Sequence, residues 1–225
     1  MGLLKSIDEQ ITLKERVYDA LRTEIIMGNL QPGQQLNIVD LAKQLHTSRA
    51  PVREALSMLN QDGLIDLESY KRPRVAVGSP KDYQVINDLR MVIEPYAVRM
   101  SVQNIPQEKI DDVREQLENL LRNPSDFNTF IETDMIVHEM LFAYADSKVL
   151  AVILGNLCSF SIRFRYLVEQ ALPEKNEKTI AKQVIISTKE HLKLLDSLET
   201  RDPEKASATV LWHLKNSLKR NKLNH

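Results

Sequence analysis

The sequence predicts a mainly α fold in two parts: a small helical unit closed by a two-stranded wing, followed by an all-α helical bundle. Three observations carry this. The stretch LAKQLHTSRAPVREALSMLNQDGL, from Leu41 to Leu64, reads as two short helices around a tight corner. Five of the six glycines lie at or before Gly78, leaving only Gly155 beyond it. The glycine-poor remainder is rich in Leu, Ile, Val, Glu and Lys and lacks strand-like alternation, which is the pattern of helices.

Taken in order, Thr12 and Glu15 have capping-box spacing and open the first helix. Val17, Ala20, Leu21, Ile25 and Ile26 give it an apolar face, Gly28 ends it, and Gln31-Pro32-Gly33-Gln34 is a turn. In the second of the two short helices Ser48 is the expected N-cap, its hydroxyl able to accept from an orphan amide of the first turn. Pro51 falls near that start, where its missing amide proton costs little. Val52, Ala55, Leu56 and Leu59 face a core, while Arg49 and Arg53, four apart, share a face at the N-terminal end. Asp62-Gly63 closes the helix with a residue suited to a left-handed position. Strands are expected at Leu64–Leu67 and Val75–Val77, with Lys71, Arg72 and Arg74 at the tip between them.

An arginine-bearing helix that aims its N-terminal residues at base edges is the helix-turn-helix reading mode, and basic wing residues beside it would meet phosphates or the minor groove. From VYDALRTEIIMGNLQPGQQL through LAKQLHTSRAPVREALSMLNQDGLI the chain resembles the GntR family of bacterial transcription regulators. The resemblance implies a winged helix-turn-helix over residues 1–78, with Ser48, Arg49 and Arg53 on the operator. Two features depart from the family pattern: Ile38 and Val39 stand where relatives often carry Glu and Arg, and the wing tip from Tyr70 to Arg74 lacks the usual glycine.

At 225 residues the chain suits two modest domains, with Gly78-Ser79-Pro80 as the boundary, Ser79 capping and Pro80 opening the next helix. Net charge is −1, and residues 1–78 carry as many acidic as basic side chains, which argues against indiscriminate nucleic-acid binding but not against a local basic face. Cys158 stands alone in an apolar helix, a core thiol, so no disulfide framework exists and a reducing cytoplasm is expected. No segment has the apolar length to span a bilayer, and no secretory pattern is present.

Six helices are expected beyond the boundary, over 80–102, 106–122, 125–145, 148–170, 175–199 and 203–220, with Asp202 capping the last before Pro203. Asp134 and His138 are four apart and project from one helix face. His191 and His213 lie eleven residues on either side of Asp202, the hinge of a helical hairpin. Each is about 16 Å from the turn at about 1.5 Å per residue, so folding the hairpin brings both imidazoles to one level. An Asp and three His on three helices suit a divalent ion, Zn, Ni, Mn or Fe; ordinary hydrogen-bonded core histidines are an equal reading of the same spacing.

LRMVIEPYAVRM, the Asp134/His138 pair and EHLKLLDSLETRDPEKASATVLWHL resemble the FCD effector domain of the FadR-type subfamily. The short span from Val77 to Arg90 fits its six-helix, VanR-like branch. The resemblance implies a metal held by Asp134, His138, His191 and His213, and Arg90 facing an effector cavity. Arg163 and Ser187 are further candidates for the cavity wall, Ser187 because it precedes His191 by one turn. An Arg there forks a carboxylate, so a small organic acid is the expected effector. The expected whole is a homodimeric, ligand-responsive repressor on palindromic double-stranded operator DNA, dimerising through residues 79–225, and not an enzyme. Two other readings stand beside it: a metalloenzyme using the Asp/His set, and a structural DNA-binding protein whose metal is a staple.

Overall fold

The computed structural model describes residues 11–170 and 177–220, with side chains described throughout these except at Pro80, 162–170 and 177–180. It divides between Val77 and Gly78 into two compact units. The first holds α1 (Leu13–Ile26), α2 (Ile38–Gln44), α3 (Arg49–Gln61), β1 (Ile65–Asp66) and β2 (Arg74–Val75). Thr12 and Glu15 form the expected reciprocal cap on α1. Val17, Leu21 and Ile25 from α1 meet Val52, Leu56 and Leu59 from α3 in a continuous core that also takes in Leu64 and Val75. Burying such side chains is worth about 1.5–3 kcal/mol each. Tyr18 on α1 donates to Asp62 at the end of α3 at 2.5 Å. Partial burial, then the Asp62 carboxylate, pushes its phenol up to about 12, so it stays a donor.

Two expectations change. Ser48 occupies the N-cap of α3, but its hydroxyl makes no capping bond; it is exposed and uncommitted. The wing strands are shorter than expected, and β2 has a second neighbour. Ile65 pairs with Val75 and Asp66 with Arg74, while Gly33 N–H donates to the Val75 carbonyl, Val75 N–H to Gln34, and Leu36 N–H to Pro73. The stretch read as a turn therefore extends into a third ladder line beside β2. The corner between α2 and α3 runs through His46 at φ 48° and the wing tip through Tyr70 at φ 64°, both left-handed. Tyr70 thus takes, at a steric cost, the conformation that glycine adopts freely.

The second unit is α4 (Pro80–Ser101), α5 (Gln107–Arg122), α6 (Phe127–Ala143), α7 (Lys148–Gln170), α8 (Glu177–Glu199) and α9 (Pro203–Arg220). Ser79 and Asp82 make a full capping box on α4, with Pro80 at its first turn. Asp202 caps α9 by accepting from Glu204 and Lys205 N–H at 2.9 and 3.2 Å. The expected start of α8 at 175 lies outside the described residues. Helix α4 packs most extensively on α9 and also on α7 and α6, while α8 meets α5, α9 and α6. Arg201, left-handed at φ 55° in the α8–α9 hinge, donates to the Val102 and Ile105 carbonyls at 3.0 and 2.5 Å. It thereby satisfies backbone acceptors beyond the end of α4 and fixes the hinge against that corner.

Candidate metal centre and nucleic-acid interface

The hairpin does what the spacing about Asp202 demands. His191 Nε2 and His213 Nε2 lie 3.2 Å apart, and His138 from α6 completes a buried trio whose ligand-competent nitrogens all fall within 4.8 Å of one another. Asp134 Oδ1 is 3.5 Å from His191 Nε2. Two imidazole nitrogens at about 2.0–2.1 Å from one tetrahedral ion are separated by about 3.3 Å, so the His191–His213 spacing already fits a shared cation. His138 Nε2 is buried without a hydrogen-bond partner among the described residues, an arrangement that an ion would satisfy.

Around the trio stands a layer of carboxylates and guanidiniums. His213 Nδ1 meets Glu190 Oε2 at 2.9 Å, and Glu190 is in turn held by Arg220. On the other side His138 Nδ1 meets Glu94 Oε2 at 3.0 Å, and Glu94 pairs with Arg90. Each carboxylate orients an imidazole so that Nε2 faces inward, the usual support of a histidine ligand. Burial would push the Glu94 carboxyl up, but the Arg90 charge and His138 outweigh it and hold it at about 2. Glu94, Asp134 and Glu190 outnumber Arg90 and Arg220 by one, so this set favours a cation.

Arg90 is more committed than an open cavity residue. Its Nε donates to Glu94, Nη1 donates to Ser161 Oγ at 2.6 Å, and Nη2 lies 3.0 Å from His138 Nδ1. The i,i+4 pair with Glu94 is wholly buried. Ser187 is buried on α8 one turn before His191. The Arg163 side chain lies outside the described residues. Cys158 Sγ sits 3.9 Å from Glu94, and burial pushes its thiol far up, which keeps it inert. Glu190 and Arg220 were not anticipated. The signal available was adjacency: Glu190 precedes His191, yet serves His213 across the hairpin.

In the first unit Ser48, Arg49 and Arg53 are all exposed at the N-terminal half of α3. Among the described residues neither arginine forms an ion pair, which leaves both guanidiniums available. The wing cations are less free. Lys71 pairs with Glu68 at 2.5 Å, Arg74 stands opposite Asp66, and Arg72 shares with them a polar cleft of about 580 Å³.

Residues 13–75 match the bacterial regulatory proteins of the gntR family, and residues 85–216 match the FCD domain. The chain belongs to the GntR family, in its FCD-bearing branch. It is similar to the HTH-type transcriptional regulator YdhC of Bacillus subtilis, 24% identical over 87% of this chain and 85% of that one. It is also similar to the HTH-type transcriptional repressor NanR of Klebsiella aerogenes, 26% identical over 90% and 83%. The solved E. coli McbR/YncC shares the fold, at a TM-score of 0.81 and 20% identity over 94% of this chain and 98% of that one. This GntR-family chain is therefore a DNA-binding transcriptional regulator and not an enzyme, which removes the metalloenzyme reading. Among the described residues no helix is long and apolar enough to cross a membrane.

Proposed function

We propose that this regulator is a homodimeric, ligand-responsive repressor of the bacterial cytoplasm, acting on palindromic double-stranded operator DNA. Its FCD unit, residues 79–225, binds one divalent cation and a small organic acid. The observation that carries this is the convergence of three imidazoles, two of them braced by buried carboxylates, beside Asp134. Asp134, His138, His191 and His213 would hold the ion. A mixed imidazole and carboxylate set suits zinc, nickel, manganese or iron. When bound, the ion supplies a Lewis-acid position for a carboxylate oxygen. Arg90 orients the acid, with Ser187 assigned to the same site. In the reader, Ser48, Arg49 and Arg53 contact the operator, while Lys71, Arg72 and Arg74 meet its backbone.

The outward face of α4 supports the homodimer. Val85, Leu89, Val92, Tyr96 and Met100 repeat at helical spacing and are 40–71% exposed. An unbroken apolar stripe of this length is characteristic of a partner surface. A second copy would give two readers for two half-sites.

Elemental analysis of the purified full chain, before and after chelation, tests the metal. One ion per chain is expected, and it should be lost when His138, His191 and His213 are all replaced by Ala. Unchanged stoichiometry in that variant would remove the site. A structural staple remains a second reading, favoured by a specific observation: the four proposed ligand residues are each at most 1% exposed, as in closed structural sites. A metal-saturated protein whose operator affinity ignores a panel of di- and tricarboxylates would select it.

A further inference from the structure

His138 Nδ1 is claimed by two partners with opposite demands. Arg90 Nη2 lies 3.0 Å away and can only donate, so it requires a lone pair on Nδ1. Glu94 Oε2 also lies 3.0 Å away and, as the carboxylate of a buried ion pair with Arg90, can only accept, so it requires a proton there. A neutral imidazole carries one N–H and cannot serve both. Neither partner can turn aside. Arg90 is pinned by Glu94 through Nε and by Ser161 through Nη1, and the other Glu94 oxygen is taken by Arg90. The far nitrogen, Nε2, has no hydrogen-bond partner among the described residues to settle the matter.

We propose that a cation on His138 Nε2 settles it: the ring passes from Arg90 to Glu94, and one Arg90 N–H is released inside the site. This rests on the metal reading above. The ring keeps a single proton, which moves from Nε2 to Nδ1 as the ion takes the Nε2 lone pair. The ring's charge does not change and no proton leaves it. Before loading, the imidazole is shared between the two tautomers. After loading, Nδ1–H donates to Glu94, and Arg90 Nη2 faces a ring N–H instead of an acceptor. A buried guanidinium N–H without an acceptor is costly, and the cost is relieved by an oxyanion such as a carboxylate. Arg90 is thus a positioning residue set by the ion. Acid binding depends on metal through the arginine as well as through any coordination. By linkage, an acid that takes the released N–H tightens the ion by the same factor.

The test uses the full-length chain labelled with 15N-histidine and 15N-arginine, at pH 8, with zinc alone as probe. Long-range 1H–15N spectra report which ring nitrogen carries hydrogen; His138→Gln and Arg90→Lys assign the signals. Metal-free protein should show His138 as a tautomer mixture. Zinc should convert it to Nδ1–H and speed Arg90 Nη proton exchange at least threefold. Glu94→Gln, a weaker acceptor, should lower zinc affinity about 10-fold or more. His138 wholly in the Nδ1–H form before zinc would overturn the exchange, and so would unchanged Arg90 protons when zinc moves all three imidazoles. If zinc moves none of the His138, His191 and His213 signals, the metal reading itself falls and takes the exchange with it.

Discussion

Single buried polar atoms have the most legible consequences. Thr188, fully buried on α8 three residues before His191, has a hydroxyl without a hydrogen-bond partner among the described residues. A buried unpaired hydroxyl costs about 1–3 kcal/mol, and an apolar group of the same shape removes that cost. Thr188→Val should therefore stabilise the metal-free protein by about 1 kcal/mol in urea unfolding; a loss of similar size would mean the hydroxyl has a partner. Glu94 behaves oppositely. Its folded carboxyl is depressed to about 2 from an ordinary 4.5, so its contribution is full above about pH 4.5 and fades as pH falls towards 2. In chelated protein Glu94→Gln should cost about 3–5 kcal/mol at neutral pH, because it strands the buried Arg90 charge. That gap should narrow through the same acid window.

At the scale of elements, α3 and the wing divide the labour of binding on the proposed reading. Arg49→Ala or Arg53→Ala should each cost about 1–3 kcal/mol of specific affinity and relax sequence preference, since a base reader loses discrimination. Neutralising Arg72 should instead weaken all sequences alike and flatten the salt slope. Lys71 should matter less, because it is already paired with Glu68. Titrations on operator and scrambled DNA at two salt concentrations separate the cases. The helices were readable because their ends carry their own chemistry: Thr12, Ser79 and Asp202 cap where their side chains predict. The wing was less so, since the bonds from Val75 N–H to Gln34 and from Leu36 N–H to Pro73 join segments far apart in sequence. The site divides the same way. Asp134 to His138 is one helical turn, and His191 and His213 are related by a counted hinge. Glu190 bracing His213 depends on side chains crossing between helices, and no spacing rule encodes that.

At the scale of the molecule, assembly and metal should be separable. Val92→Glu places a charge in the middle of the exposed α4 stripe. It should yield a monomer in light scattering with zinc still bound, and should lower operator affinity through loss of bivalent contact. A dimeric variant would move the interface elsewhere. Zinc at 100 times its Kd should add about 2.7 kcal/mol to the unit that binds it, raising its melting point by about 5–10 °C. The transition of residues 78–225 should shift in calorimetry while that of the first unit stays. An unmoved transition for residues 78–225 would place zinc binding outside the histidine trio.

The capping box at Ser79 and Asp82 has a consequence for engineering and descent alike. A helix that carries its own start signal needs no instruction from the chain before it. The first unit has its own core and its own opening box at Thr12 and Glu15. A splice just upstream of Ser79 therefore cuts no cap and leaves both hydrophobic interiors whole. Grafting a foreign reader at that point should give a chimera that folds as two units and keeps the zinc-dependent melting of its parent. Recombination at the same seam would let such regulators change the DNA they address without rebuilding their second unit.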